Sequence, residues 1–155
     1  MSVQWMSLSR AWDLSEWGKV AGEALTALTM LRIAEKRQID FKQIQDKLRD
    51  VNKLISFLTE ELESTGDLAD RYDIKLSSIT SPILKAFLDT YGIANSQDAI
   101  KKLTTLSETL KDVIDGKYSE DSIGVLEEFL RIVLKTSTEE VEKLILPSRA
   151  VWIRL

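Results

Sequence analysis

Carboxylates are the most plentiful reactive groups in this chain, and glutamate occurs in three clusters. The clusters are Glu60, Glu61 and Glu63; Glu127 and Glu128; and Glu139, Glu140 and Glu142. Grouped carboxylate oxygens are the ligands that Mg²⁺ and Ca²⁺ prefer. None of the clusters follows the spacing of an EF-hand loop, and charge runs of this kind are ordinarily solvated helix faces. We therefore interpret them as exposed surface and expect neither a metal nor a cofactor.

Other catalytic groups are scarce, because the 155 residues include no histidine and no cysteine. The chain therefore cannot supply a histidine base or a histidine metal ligand. It also has no thiol nucleophile and no thiolate zinc site. The GxSxG and SxxK motifs of serine nucleophiles are absent, and no glycine-rich loop is arranged to bind phosphate. We predict that the protein is not an enzyme.

Basic residues form the most specific candidate site. Seven of them surround the tip and outer face of a predicted helical hairpin: Arg32, Lys36, Arg37, Lys42, Lys47, Arg49 and Lys53. Such a surface could contact nucleic-acid backbone, for which the candidates are Arg32, Lys36, Arg37, Lys42 and Arg49. It could equally pair with the acidic stretch 119–142 of a neighbouring copy. The interpretation we favour over both is an ordinary surface neutralised by nearby acids. The net charge of −4 disfavours a generic nucleic-acid binder.

Aromatic residues concentrate near the two ends of the sequence, with tryptophan at positions 5, 12, 17 and 152. We expect residues 1–11 and 147–155 to form extended terminal arms. Two interpretations stay open, because terminal aromatics either complete the core or anchor an arm in another subunit. The candidates for partner binding are Trp5, Val151, Trp152 and Ile153.

An amphipathic helix over residues 40–64 is the element around which the rest is arranged. Its apolar seam recurs at steps of three and four through Phe41, Ile44, Leu48, Val51, Ile55, Leu58 and Leu62. Asp40 is placed to cap its start. Gly66 marks a plausible stop, although the phase of the seam continues through Tyr72 and Leu76. For 67–78 we therefore predict a bent continuation or a second short helix.

A preceding helix is predicted from about Leu14, since Asp13 and Glu16 match a capping box. We expect it to pair with 40–64 as an antiparallel hairpin, although one continuous helix through residue 62 is the alternative.

The later helices are delimited by local signals. Ser81-Pro82 and Gly92 bound one helix, and Asn95 or Ser96 and Gly116 bound the next. Ser119 opens another helix, and a capping box at Thr136 or Ser137 opens a last short one that ends at Pro147.

These elements predict an all-α, single-domain bundle of five to six helices over residues 1–155. The sequence contains no apolar run long enough to span a membrane and no signal peptide, so a cytoplasmic protein is expected. The absence of Cys and His together with abundant Lys, Arg and Glu also fits a thermophilic source. The function we expect is that of a non-enzymatic structural or protein-interaction subunit, which self-associates or joins a larger assembly. The alternative is a small helical subunit of a nucleoprotein complex.

Overall fold

Five α-helices make up the part of the chain that the computed structural model describes, which is the backbone of residues 3–33 and 40–154 and the side chains of residues 14–33 and 40–143. The helices are α1 Val3–Ile33, α2 Phe41–Tyr72, α3 Pro82–Tyr91, α4 Ser96–Ile114 and α5 Glu120–Arg154, and one 3₁₀ turn covers Leu76–Ser78. The all-α prediction and the predicted number of helices are confirmed.

The first two helices form the predicted antiparallel hairpin. Near the middle of the hairpin, the rings of Trp17 and Phe57 lie 5.9 Å apart. Towards its tip, Lys47 Nζ and Glu23 Oε2 are 3.1 Å apart. Residue numbers therefore fall along α1 as they rise along α2, which is the signature of antiparallel packing and rules out one continuous helix through residue 62.

The fourth helix runs antiparallel to α2 on its other side. Gln45 Nε2 donates a hydrogen bond of 2.7 Å to the carbonyl of Ile114, and Ser107 Oγ donates one of 3.3 Å to Asn52 Oδ1. The first bond joins residues 69 apart in sequence and the second joins residues 55 apart, and together they fix the register of α4 against α2.

The fifth helix closes the ring by packing antiparallel against α1. Arg32, near the end of α1, contacts Glu127 near the start of α5. At the other end of the pairing, Ser137 Oγ donates a hydrogen bond to the carbonyl of Leu14. The order around the ring is α1, α2, α4, α5, so α2 and α5 lie diagonally opposite each other among the described residues. We call the end where α2 begins the tip and the end where α2 ends the base.

A single apolar cluster fills the ring and includes most of the predicted seam of α2. Six of the seven seam residues are buried, and Phe41 is partly buried against them. The short helix α3 packs outside the ring on α5, where the rings of Phe87 and Phe129 meet edge to face at 6.1 Å. Burial of the seam stabilises α2, since most of the stability of a helix in a protein comes from packing of its apolar face.

Predicted helix boundaries are confirmed where they depend on local capping. The Asp40 side chain accepts a hydrogen bond of 3.3 Å from the backbone N–H of Gln43. The Asn95 side chain accepts one of 2.8 Å from the N–H of Asp98. Gly92 ends α3 with φ of 62°, the left-handed conformation that glycine adopts without strain.

The extended terminal arms predicted for residues 1–11 and 147–155 are wrong. The backbone is helical from Val3 in α1 and as far as Arg154 in α5. The capping box at Asp13 and Glu16 therefore does not begin a helix. No Gly or Pro precedes it in α1, so nothing in the backbone chemistry interrupts the helix there.

The stop predicted at Gly66 is also wrong, and α2 continues through it to Tyr72. Gly66 is buried within the helix because α4 begins beside it. A Cβ atom at Gly66 would lie 2.6 Å from Cβ of Ser96, so only glycine permits this approach. Of the two interpretations of 67–78, the continuation of the helix is the one that the structure adopts, as far as Tyr72.

The separate last helix predicted after Thr136 does not exist, because α5 is continuous from Glu120 to Arg154. Ser137 is not a cap and instead bonds across to α1. Pro147 lies inside α5, where its fixed φ is compatible with a helix although it has no N–H to donate.

Candidate functional site

Apolar side chains are exposed at the base of the bundle, at the end of α2. Leu68, Tyr72 and Ile74 are 43%, 62% and 41% exposed, and we call these three residues the base patch. Leu68 and Tyr72 are four residues apart and so lie on one side of the helix. Phe57, which is 40% exposed, precedes Leu68 by three turns on the same side. Grouped exposed apolar side chains are typical of protein interaction surfaces.

The last turns of α2, which carry most of the base patch, are strongly acidic. Residues 60–73 contain six acidic residues and one arginine, a net charge of −5. The arginine, Arg71, is itself paired with Asp67 at 2.9 Å. Glu60 and Glu63 are exposed on the outer face of the helix. The carboxyl end of the α2 dipole adds to this negative potential.

Sequence reasoning does not identify this surface. The phase of the seam assigns Tyr72 to the buried face of α2, yet the neighbouring seam positions Ala69 and Leu76 are buried while Tyr72 is mostly exposed. The one feature of the sequence that indicates the base patch is Leu68, an apolar residue that lies outside the seam in a strongly acidic segment of α2.

The predicted terminal residues approach this end of the molecule by topology. Trp5 lies in the first turns of α1, and Val151, Trp152 and Ile153 lie in the last turns of α5. Since α1 and α5 both run antiparallel to their neighbours, α1 begins and α5 ends at the base. The side chains of these four residues are outside the described set.

Arg32, the first of the predicted nucleic-acid residues, is engaged within the bundle. Its Nε lies 2.9 Å from Glu120 Oε1 and its Nη2 lies 2.7 Å from Glu127 Oε1. Glu127 is only 3% exposed, so the guanidinium bridges α1 to α5 and satisfies a buried carboxylate. The interpretation of Glu127 as solvated surface is wrong.

The other predicted basic residues are not gathered into one surface. Arg49 Nη1 pairs with Asp46 at 2.9 Å on the same helix. Lys42 lies seven residues before Arg49, about two helical turns, and is exposed. Among the described residues, no ion pair within 4 Å involves Lys42. Lys36 and Arg37 lie outside the described residues. The structure thus leaves Lys42 as the one described candidate without an acidic partner.

Glu61 also has a structural role, which corrects its interpretation as solvated surface. Its carboxylate accepts a hydrogen bond of 2.7 Å from the backbone N–H of Ser81 and one of 2.6 Å from Ser81 Oγ. A carboxylate at the start of α3 also interacts favourably with the helix dipole. Among the described residues, no group of three or more His, Cys, Asp or Glu side chains is arranged to hold a metal ion.

A groove of about 410 Å³ lies between α1 and α2 near the tip. Buried Ala27 and Ile44 line it together with exposed Met30. The ion pair between Lys47 and Glu23 also lies in its lining, so part of its polar surface is already satisfied within the chain.

Tyr91, at the end of α3, occupies a mixed environment between α4 and α5. Its ring lies 5.1 Å from that of Phe87, and Lys102 Nζ lies 4.6 Å from its centroid. Burial, and secondarily the neighbouring carboxylate of Glu128, raise the pKa of Tyr91 to about 12.

Within the described residues, no helix is both long and apolar enough to cross a membrane. Comparison of the chain with protein-family models, with curated proteins and with solved structures found no match.

Proposed function

We propose that this chain is a non-enzymatic structural or protein-interaction subunit that self-associates through the base of its bundle. The observation that carries the proposal is the base patch, at the end of the molecule where α1 begins and α5 ends. Full burial of a large apolar side chain contributes about 2 kcal/mol. The exposed portions of Leu68, Tyr72 and Ile74 would each contribute about half of that on association.

The sequence of the terminal turns supports the same proposal. In residues 144–153, seven of ten residues are apolar, and at 100° per residue they fall on every side of a helix. The apolar residues of 3–12 are distributed in the same way. A helix that is apolar all round requires neighbours on more than one side.

The test is the molar mass of the full-length protein, measured by light scattering over a range of concentrations. We expect wild type to have a multiple of 17.6 kDa. The variant Tyr72→Glu should shift towards the single-chain mass, because a carboxylate cannot be buried in an apolar contact without a partner. Ile33→Glu is the matched control, since Ile33 is also 62% exposed but lies at the tip.

Far-ultraviolet circular dichroism of both variants establishes that each remains folded. The proposal would be wrong if wild type has the single-chain mass at every concentration, or if both variants dissociate the assembly equally.

The alternative function, contact with nucleic-acid backbone, has less support because Arg32 and Arg49 are already paired with carboxylates. Binding of a nonspecific oligonucleotide at low salt, weakening steeply as salt is raised, would favour it.

A further inference from the structure

We infer that the base patch binds the last turns of α5 from a second copy of this chain, with Arg149 and Arg154 beside the acidic residues of α2. The inference rests on the proposed function and specifies which two surfaces meet. It identifies the occupant of the base patch as an apolar, basic helix segment.

Charge complementarity is the first argument. The end of α2 carries a net charge of −5 over residues 60–73, whereas residues 144–154 contain two arginines and no acidic residue. Opposite potentials of this kind steer association and disfavour the pairing of like surfaces. Two base patches brought together would repel each other, so a contact of the patch with itself is disfavoured.

Apolar complementarity is the second argument. The last turns of α5 carry Val151, Trp152 and Ile153 between the two arginines, in a helix that is apolar on every side. The base patch presents one leucine, one isoleucine and the amphipathic ring of Tyr72. Aromatic residues and arginine are the residue types that contribute most to protein interfaces.

The position of the helices is the third argument, and it favours a contact between copies over one within the chain. In the described ring, α2 and α5 lie diagonally opposite each other, with α1 and α4 between them. Within the described ring, α5 therefore packs on α1 and α4 and not on α2. Each chain offers one acidic patch and one basic segment, so two chains related by a two-fold axis satisfy both contacts reciprocally.

The experiment reverses the charges on each side separately. One variant is Glu60→Lys with Glu63→Lys, at exposed positions of α2 about one to two turns before Leu68. The other is Arg149→Glu with Arg154→Glu. Glutamate, lysine and arginine have similar helix propensities, so the substitutions change the intrinsic stability of the helices little.

Each variant alone should self-associate at least about tenfold more weakly than wild type. The first reversal lowers the net charge of residues 60–73 from −5 to −1 and so removes most of the attraction, and the second places an acidic segment against the acidic end of α2. An equimolar mixture should recover association to within about threefold of wild type. In the mixed dimer, one contact is native and the other has both charges reversed. Glu108→Lys with Asp112→Lys, which reverses two exposed charges on α4, is the matched control and should associate like wild type.

The outcomes separate this inference from the proposed function. A wild-type protein that stays monomeric would overturn both. An oligomeric wild type whose association is unaffected by either double reversal would overturn this inference alone. Two weakened variants whose mixture does not recover would do the same, since misfolding or a nonspecific loss would produce that result.

Discussion

Arg32 contacts two glutamates that differ mainly in their exposure, which makes them a natural pair for comparison. Glu127 is 4% exposed at its side chain and Glu120 is 75% exposed. We predict that Glu127→Gln lowers the free energy of unfolding by about 2 kcal/mol, because it leaves the charge of Arg32 without its closest partner. The value is below that of a fully buried pair because the Arg32 side chain is 32% exposed.

Glu120→Gln is the control and should lower the free energy of unfolding by less than about 0.5 kcal/mol, as is usual for an exposed ion pair. Urea unfolding measured by circular dichroism checks both values. Equal effects of the two substitutions would contradict the assignment of Arg32 to a buried interhelical contact.

The raised pKa of Tyr91 predicts how the free energy of unfolding changes at alkaline pH. Its pKa is about 12 in the folded chain against an ordinary value of 10.0. The unfolded chain therefore loses this proton first, so the free energy of unfolding is at its full value below pH 10 and falls as pH rises towards 12. We predict that Tyr91→Phe makes this fall shallower. Urea unfolding at a series of alkaline pH values, with Tyr118→Phe as control, measures the slope. An unchanged slope in Tyr91→Phe would contradict a raised pKa of Tyr91 in the folded chain.

Residue roles that depend on distant partners could not be predicted from the sequence. Glu61 bonds to Ser81 twenty residues away, and Arg32 contacts residues of α5 from the end of α1. Glu61 stands in a run of acidic residues that resembles solvated helix surface, and Arg32 is followed three positions later by the charged stretch Glu35, Lys36 and Arg37. Nothing in their immediate neighbours distinguishes a charge that is paired across helices from one that faces water.

At the level of the helices, Gly66 predicts an effect opposite to that of helix propensity. Alanine favours a helix over glycine by about 1 kcal/mol. At Gly66, however, the new Cβ would lie 2.6 Å from Cβ of Ser96, and overpacking of this kind costs about 2 kcal/mol. We predict that Gly66→Ala lowers the free energy of unfolding by about 1 kcal/mol.

Gly22 is the matched control, because it lies inside α1 with no atom of a neighbouring element within 4 Å of the position that an alanine methyl group would take. Gly22→Ala should therefore stabilise by about 0.5–1 kcal/mol. Adding Ser96→Gly to Gly66→Ala should recover much of the loss. Thermal or urea unfolding distinguishes these results, and a stabilising Gly66→Ala would refute the close approach of α2 and α4.

The existence of the helices could be predicted from the sequence, whereas their boundaries could be predicted only where the cap is local. Asp40, Asn95 and Gly92 each bond to a residue three or four positions away, so the sequence around them is enough to predict the helix end. Gly66 and Ser137 resemble a stop and a cap, yet both are used for contact between helices. The same residue types serve both purposes, so spacing alone does not separate them.

For the whole molecule, the fold class and the hairpin could be predicted because every helix except α3 is long and carries extensive apolar patterning. The candidate site could be predicted only in part. The apolar terminal segments of the sequence indicate a partner-binding surface. The base patch could not be predicted, because the sequence does not show which residues at the end of α2 are exposed. Tyr72 shares the phase of the buried seam, yet it is 62% exposed while Ala69 and Leu76 on either side of it are buried.

The hydrogen bond between Ser137 and Leu14 joins positions 123 residues apart, whereas that between Ser107 and Asn52 spans 55. Loop-closure entropy makes the longer contact about 0.7 kcal/mol more costly to form from the unfolded chain. The hairpin and the α2–α4 pairing can assemble first, and α5 must then find α1 to close the ring. We expect pulse-labelled hydrogen exchange during refolding to protect the interface of α1 with α5 last. A chain that completes this step slowly would expose its apolar terminal turns longest, which makes closure of the ring the stage most sensitive to protein concentration.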